Sequence, residues 1–281
     1  MVIKFDGEYF SVKDTLECGQ TFRFMPLSDG KYKVFTKDKC AICYNEGDYA
    51  FIECNDSDGD YFFNYFDLNR DYSQISSSAL SENLPILTQA VNLGKGIRIL
   101  NQDKEEMLFS FIISQNNNIP RIKKIINALC DSLGETKTYG EKSYKAFPTA
   151  KSLSDRDLNF YSALGLGYRA SYVLDTAKLL VDGLKLSEFE SLSTAELKKR
   201  LLSIRGIGPK VADCIALFGF HRTDSFPVDT WIEKLYKEDF NGTITDRNKI
   251  TKFFTDKFKE NSGYVQQYLF HYKRNLQSQQ K

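Results

Sequence analysis

Residues 202–214 of this 281-residue chain read Leu-Ser-Ile-Arg-Gly-Ile-Gly-Pro-Lys-Val-Ala-Asp-Cys. Gly206 and Gly208 suit a tight connection, because glycine adopts positive φ and lets backbones approach closely. Pro209 suits the first turn of a helix, where its missing N–H is not needed. The stretch therefore predicts two helices joined by a glycine hairpin, with exposed amides at the second helix that suit a DNA phosphate. An ordinary pair of capped helices is the alternative that this pattern leaves open.

Two side chains, Lys210 and Asp229, carry groups that an active site uses. For Lys210, a solvated surface lysine is the alternative that its position alone leaves open. Lys210 lies in the first turn of the second predicted helix, where the helix end and apolar packing should both favour the neutral amine. A neutral amine can attack a sugar carbon and form a Schiff base, and Cys214 lies one turn later on the same face. Asp229 precedes a predicted helix at 230–237, either as a plain N-cap or as a fixed carboxylate that stabilises positive charge on a sugar.

The beginning of the chain indicates β-structure. Residues 1–66 contain short apolar runs rich in β-branched and aromatic residues, separated by turn signals. Asp6 and Gly7 predict a tight hairpin between residues 2–5 and 9–12.

From about residue 84 the spacing of apolar residues becomes helical. Ser193 to Glu196 matches the capping box that opens a helix. We therefore predict an α+β fold, with an antiparallel sheet domain and flanking helices over residues 1–95. A mostly α-helical, two-part domain should follow over residues 96–281, with its helix-hairpin-helix at about 194–219.

Charge is distributed unevenly, although the formal net charge is only +1. Residues 1–95 carry nine Lys or Arg against fifteen Asp or Glu, whereas residues 96–281 carry 29 against 22. We expect a polyanion such as DNA to meet the second part, with chance variation in solvated charge as the alternative.

The composition, 42% hydrophobic and 27% charged, is typical of globular proteins. No stretch approaches the ~20 apolar residues of a membrane span, and the first residues lack a signal-peptide pattern. We expect an intracellular protein without membrane association.

Cys40 and Cys43 form a C-x-x-C pair, but no second pair completes a zinc site. We therefore predict no metal and no cofactor.

The glycine hairpin with Lys210, together with Pro227, Val228 and Asp229, resembles the helix-hairpin-helix glycosylase superfamily. Cys214 adds a resemblance to the 8-oxoguanine DNA glycosylase family within it. Further segments match that family in order along nearly the whole chain: residues 19–23, 110–119 and 165–170, and Gln266 with Phe270.

The resemblance implies a bifunctional DNA glycosylase and AP lyase. Lys210 would be the Schiff-base nucleophile and Asp229 the essential carboxylate. Gly19 would offer its carbonyl to the oxidised base. The remaining residues implied in the base pocket are Cys214, Gln266 and Phe270.

The resemblance also implies contacts to DNA outside the base pocket. Gly206 and Gly208 would lie at the DNA backbone, and four further residues would fill the gap in the duplex and read the opposite base: Asn116, Arg121, Tyr168 and Arg169. The expected partner is double-stranded DNA with an oxidised purine opposite cytosine, bound by a monomer. The expected location is the cytoplasm or nucleoid of a prokaryote, or the nucleus of a eukaryote.

Two positions depart from the family pattern. Trp231 stands where a histidine near a phosphate is common, and Lys273 stands where an acidic residue near the pocket is expected.

Two other functions are alternatives to an 8-oxoguanine glycosylase. One alternative is a helix-hairpin-helix glycosylase for another base; such relatives commonly lack the lysine or carry an iron–sulfur cluster. The other is a non-catalytic DNA-binding module, which would not need Lys210 and Asp229 together.

Overall fold

A computed structural model describes residues 1–278, with side chains described as far as Leu276. Five antiparallel strands lie near the N-terminus: β1 Val2–Asp6, β2 Phe24–Pro26, β3 Tyr32–Thr36, β4 Lys39–Glu46 and β5 Tyr49–Cys54. They form one sheet in the order β1-β5-β4-β3-β2. A separate hairpin follows later in the chain, formed by β6 Thr136–Tyr139 and β7 Lys142–Lys145.

The described part of the chain is otherwise mostly helical. Its α-helices are α1 Val12–Glu17, α2 Gly59–Tyr65, α3 Tyr72–Leu80, α4 Pro85–Gly94, α5 Lys104–Ser114, α6 Ile119–Leu133, α7 Ala150–Ser154, α8 Leu158–Ala163, α9 Arg169–Val181, α10 Thr194–Leu202, α11 Pro209–Gly219, α12 Thr230–Asp239, α13 Arg247–Phe258 and α14 Ser262–Ser278. Short 3-10 helices occupy Asp56–Asp58, Leu186–Phe189 and Lys259–Asn261. The predicted α+β fold, a sheet followed by a helical region, is confirmed.

The predicted hairpin at Asp6 and Gly7 is wrong. β1 pairs with β5, so that Val2 lies opposite Glu53, and the Gly7 amide donates to the Asp48 carbonyl at 2.8 Å. Residues 9–12 do not return as a strand, because the Ser11 side chain accepts from the Asp14 amide and caps α1. The local capping bond outweighs the turn signal of the preceding dipeptide.

Two hydrophobic cores hold the molecule together. The smaller lies between the sheet and α1 and α2, and the larger fills the space among the remaining helices. α5 is central to the larger core, because every residue from Glu106 to Ile113 is buried. Its last turn and the first turn of α11 both reach the region of the candidate site.

Arg98 joins the two cores. Its side chain is 1% exposed and donates to the backbone carbonyls of Tyr9 and Phe66, while its guanidinium lies 4.0 Å from the centre of the Tyr72 ring. A buried guanidinium requires such partners, because an unpaired buried charge is strongly unfavourable.

The division of the chain into parts 1–95 and 96–281 stays a prediction.

Candidate active site

The glycine hairpin between α10 and α11 has the expected local geometry. Gly206 adopts φ +89, and a Cβ placed there would lie 2.4 Å from the Tyr172 ring. α11 begins at Pro209 without a side-chain cap, and nothing lies within 4 Å of the position of a Gly208 Cβ. The first amides of α11 therefore remain accessible to an anion such as a phosphate. Ser193 and Glu196 form the capping box that starts α10.

Lys210 and Asp229 line the same narrow cavity, with a volume of about 50 Å³. The other lining residues are Gly19, Phe111, Cys214, Phe218, Pro227, Gln266, Gln267 and Phe270. All six residues that the sequence assigned to catalysis and base binding thus come together, from four separate segments of the chain.

Asp229 is held in a fixed direction as the N-cap of α12. One carboxylate oxygen, Oδ1, accepts from the amides of Trp231 and Ile232 at 3.0 and 2.9 Å. This arrangement combines the two roles considered for Asp229, because a capping bond that orients the carboxylate also places its charge in the cavity.

The direction of the pKa shift of Lys210 contradicts the expectation of a neutral amine. The Cys214 side chain raises the pKa of Lys210 most strongly, burial opposes it by lowering the pKa, and Asp229 raises it further. The net direction of the pKa shift is upward. The Lys210 Nζ also lies 5.9 Å from the centre of the Phe111 ring. Burial also raises the pKa of the Cys214 thiol, while Lys210 lowers it.

α14 forms one wall of the cavity. Gln266 is 5% exposed, and its Nε2 donates to the Pro227 carbonyl at 3.3 Å. Gly19 adopts φ +95 opposite this wall, and a Cβ there would lie 3.4 Å from Phe270 Cε1. A side chain at position 19 would therefore be strained and would narrow the cavity.

The four residues implied in filling the duplex gap form a second cluster. Asn116 adopts φ 45 in the turn after α5, and its Nδ2 donates to the Tyr168 hydroxyl at 3.3 Å. Arg121 is exposed, and one of its Nη atoms donates to the Gly165 carbonyl at 3.1 Å.

Arg169, in contrast, is 4% exposed. Its Nε donates to the Gln115 carbonyl at 2.7 Å, and Nη2 donates to the Asn116 carbonyl at 3.0 Å. In this structure the guanidinium supports the turn that carries Asn116.

The two departures from the family pattern lie beside this site. Trp231 donates its backbone amide to Asp229. Lys273 Nζ lies 2.9 Å from carboxylate oxygens of both Glu238 and Asp239, at the end of α12. Lys273 therefore connects α14 to α12 and does not line the cavity.

Three further residues line the cavity without having been predicted from the sequence. Phe218 lies one turn beyond Cys214 on α11, and Gln267 and Phe111 also contribute to the wall. The helical spacing from Lys210 through Cys214 could have indicated Phe218. Nothing in the local sequence separates Phe111 from the other apolar residues of α5.

No helix in the described residues is long and apolar enough to cross a membrane. Within residues 1–278, no three or more His, Cys, Asp or Glu side chains group in a way that could hold a metal ion. Cys40 and Cys43 are buried thiols of β4.

A glycine hairpin between two helices, with a lysine and a capping aspartate in one cavity beside it, defines a helix-hairpin-helix protein of the base-excision class. A family model for the HhH-GPD superfamily of base excision DNA repair proteins matches residues 109–260, and one for the 8-oxoguanine DNA glycosylase N-terminal domain matches residues 2–108. The chain belongs to the 8-oxoguanine DNA glycosylase family of the HhH-GPD superfamily.

Two solved structures resemble the chain along almost its full length. A structure of MBOgg1 in complex with a low affinity DNA ligand is 39% identical with a TM-score of 0.93, covering 98% of this chain and 96% of that one. The Clostridium acetobutylicum 8-oxoguanine glycosylase/lyase, in complex with double-stranded DNA containing cytosine opposite 8-oxoG, is 37% identical with a TM-score of 0.91, covering 99% and 98%.

The N-glycosylase/DNA lyase of Saccharomyces cerevisiae is 38% identical over 159 residues, which are 52% of this chain and 42% of that protein. The matched region also covers 52% of the Arabidopsis thaliana N-glycosylase/DNA lyase OGG1, at 32% identity. The chain thus spans about half the length of these two curated relatives.

Proposed function

We propose that this protein is a bifunctional DNA glycosylase and AP lyase that excises 8-oxoguanine from duplex DNA. The observation that carries the proposal is the meeting of Lys210 and Asp229 in one cavity beside the open end of α11. In such a site, α11 binds the DNA backbone and the extruded nucleotide enters the cavity, which widens from its volume of about 50 Å³ to hold a purine.

Lys210 acts as the nucleophile. Its deprotonated amine attacks C1′ of the deoxyribose, the C1′–N9 bond breaks, and the bonding pair leaves with the base. The attacking nitrogen then loses a proton, and opening of the sugar ring gives a Schiff base. Loss of a C2′ proton and of the 3′ phosphate breaks the strand by β-elimination. The fixed carboxylate of Asp229 stabilises the positive charge that develops on the sugar.

The Gly19 carbonyl distinguishes the lesion from guanine. Guanine presents an acceptor at N7, whereas 8-oxoguanine presents N7–H, a donor. An acceptor left unpaired on burial costs about 1–3 kcal/mol, so this contact gives useful but incomplete discrimination. Gln266, Phe270 and Cys214 complete the pocket around the base.

Asn116 and Arg121 recognise the base that extrusion leaves unpaired. Arg121 carries only donors, which match the O2 and N3 acceptors of cytosine, whereas thymine presents N3–H. Tyr168 lies beside Asn116 in this cluster. Arg169 would also recognise the opposite base if its guanidinium left the backbone carbonyls of Gln115 and Asn116. The preferred substrate is therefore the lesion opposite cytosine.

The enzyme acts as a monomer where the genome lies, in the cytoplasm or nucleoid of a prokaryote or the nucleus of a eukaryote.

Borohydride trapping on duplex DNA with one 8-oxoguanine tests the proposal. We expect a covalent adduct with the wild type and none with Lys210→Gln, which keeps length and hydrogen bonding but removes the amine. Lys142→Gln, at an exposed lysine of β7, is the matched control and should form the adduct. A wild type that binds the DNA without an adduct would indicate a non-catalytic module. An adduct only on abasic DNA would indicate a different base.

A further inference from the structure

A second glutamine lies beside Gln266 in the wall of the cavity. Residues 263, 266, 267, 270 and 274 follow one stripe of α14, by the spacing of neighbours on a helix face. Gln267 lines the cavity together with Gln266 and Phe270, and its side chain is 3% exposed. It is therefore positioned to meet whatever enters the cavity.

The hydrogen bonds of the two glutamines leave one oxygen without a partner. Gln267 Nε2 donates to Gln266 Oε1 at 2.8 Å, and Gln266 Nε2 donates to the Pro227 carbonyl at 3.3 Å. Gln267 Oε1 is buried and accepts no hydrogen bond from any described residue. Buried acceptors are nearly always paired, because leaving one unpaired is unfavourable. An unpaired acceptor on a residue that lines a cavity is available to a hydrogen-bond donor of a ligand in that cavity.

We propose that Gln267 is a further specificity-determining residue, whose Oε1 accepts a hydrogen bond from the pairing edge of the extruded base. This inference rests on the proposed function, because it takes an oxidised purine as the ligand. The pairing edge of 8-oxoguanine presents two adjacent donors, N1–H and the exocyclic amine. Two neighbouring amide oxygens, Oε1 of Gln266 and of Gln267, match those two donors.

The same arrangement disfavours an oxidised adenine. 8-Oxoadenine shares the N7–H donor of 8-oxoguanine but presents an acceptor at N1. An amide oxygen facing that acceptor is left unpaired, so the glutamine pair selects between two purines that the Gly19 carbonyl does not distinguish. Gln267 Nε2 also holds the Gln266 amide in the orientation that offers its oxygen.

Single-turnover excision of 8-oxoguanine and of 8-oxoadenine, each opposite cytosine, tests the inference. Gln267→Met keeps the length of the side chain but removes the acceptor and the donor. We expect the ratio of the two excision rates to fall about tenfold, which is the effect of losing one net hydrogen bond. Gln74→Met, at an exposed position of α3, is the control and should leave the ratio unchanged.

Cleavage of DNA with a preformed abasic site separates failure of this inference from failure of the proposed function. Because that substrate has no base, its cleavage should be the same in wild type and Gln267→Met. Gln267→Ala repeats the test with a side chain too small to crowd the cavity. An unchanged excision ratio in a folded variant, whether both rates fall together or neither falls, overturns the role of Gln267. Absence of cleavage and excision in the wild type overturns the proposed function itself.

Discussion

Lys210 and Cys214 lie one turn apart on α11, and the Cys214 side chain is the largest influence on the pKa of the Lys210 amine. Cys214 raises this pKa, whereas burial of the amine lowers it, and Asp229 raises the pKa further. These groups therefore favour the protonated form of Lys210, although the proposed chemistry needs a free amine. Excision should consequently depend on pH through the deprotonation of Lys210.

Removing the sulfur should make the amine easier to deprotonate. We expect Cys214→Ala to lower the pKa of Lys210 and to move the acidic limb of the pH–rate profile to lower pH. Abasic-site cleavage measured between about pH 6 and 10 stays on this limb, below the pKa of Lys210, and has no contribution from base binding. The shift should therefore appear as a higher cleavage rate at each pH. Cys130→Ala, at a buried thiol of α6, is the control. A limb that stays in place or moves upward would contradict the prediction.

Asp229→Asn should separate capping from catalysis. Asparagine retains an oxygen that accepts from the two amides of α12, so the free energy of unfolding should change by less than about 1 kcal/mol. Loss of the charge should slow single-turnover excision by about 100- to 1,000-fold, as for one preorganised group at a developing charge. Asp246→Asn is a matched control, because Asp246 caps α13 through two amides in the same way. Full activity in a destabilised Asp229→Asn protein would leave only the capping role.

The two arginines near Asn116 should behave differently when replaced by alanine. Exposed Arg121→Ala should reduce the preference for cytosine over thymine by about tenfold or more, the value of one bidentate contact to a base. Buried Arg169→Ala should lower excision opposite all four bases and destabilise the fold by about 1–3 kcal/mol, because backbone acceptors lose their donor. Excision opposite each base, with urea unfolding, distinguishes the two. A flattened preference in Arg169→Ala would show that its guanidinium leaves the turn to read the base.

An ion pair within the helix-hairpin-helix, between a buried carboxylate and a partly exposed lysine, should make stability depend on pH. Asp213 of α11 lies 2.5 Å from Lys198 of α10, and burial raises the pKa of Asp213 to about 6, although Lys198 lowers it. Because the folded pKa exceeds the unfolded one, the native state binds the proton more tightly. The associated stability is present below about pH 4 and is lost as pH rises through about 6.

As the pH falls from about 7 to about 5, the free energy of unfolding of the wild type should therefore rise by about 1 kcal/mol relative to that of Asp213→Asn. Urea unfolding at several pH values measures the difference. Asp175→Asn, which removes an exposed ion pair with Arg205, should show no such relative change. A pH-independent difference between wild type and Asp213→Asn would mean that Asp213 stays ionised throughout.

The sequence by itself determined the local features of the site. The hairpin glycines, the capping box at Ser193 and the N-cap role of Asp229 were all predictable, because turn geometry and capping bonds act within a few residues. The membership of the chain in the 8-oxoguanine glycosylase family was predicted from its motifs and is confirmed. The α+β architecture followed from the change in apolar spacing along the chain, which reflects the repeat of strands and helices.

Only the tertiary structure decided how distant segments meet. β1 pairs with β5 and not with residues 9–12, which follow it in the chain, because sheet pairing depends on which faces the whole chain buries. Asp229, which packing brings beside Lys210 from another segment, adds to the rise in the pKa of Lys210 that Cys214 causes. Burial of Arg169 and the unpaired oxygen of Gln267 likewise follow from helices packed together, and no local spacing encodes them. Charges and hydrogen bonds in a site respond to every group within a few ångströms, whereas sequence patterns report only those nearby along the chain.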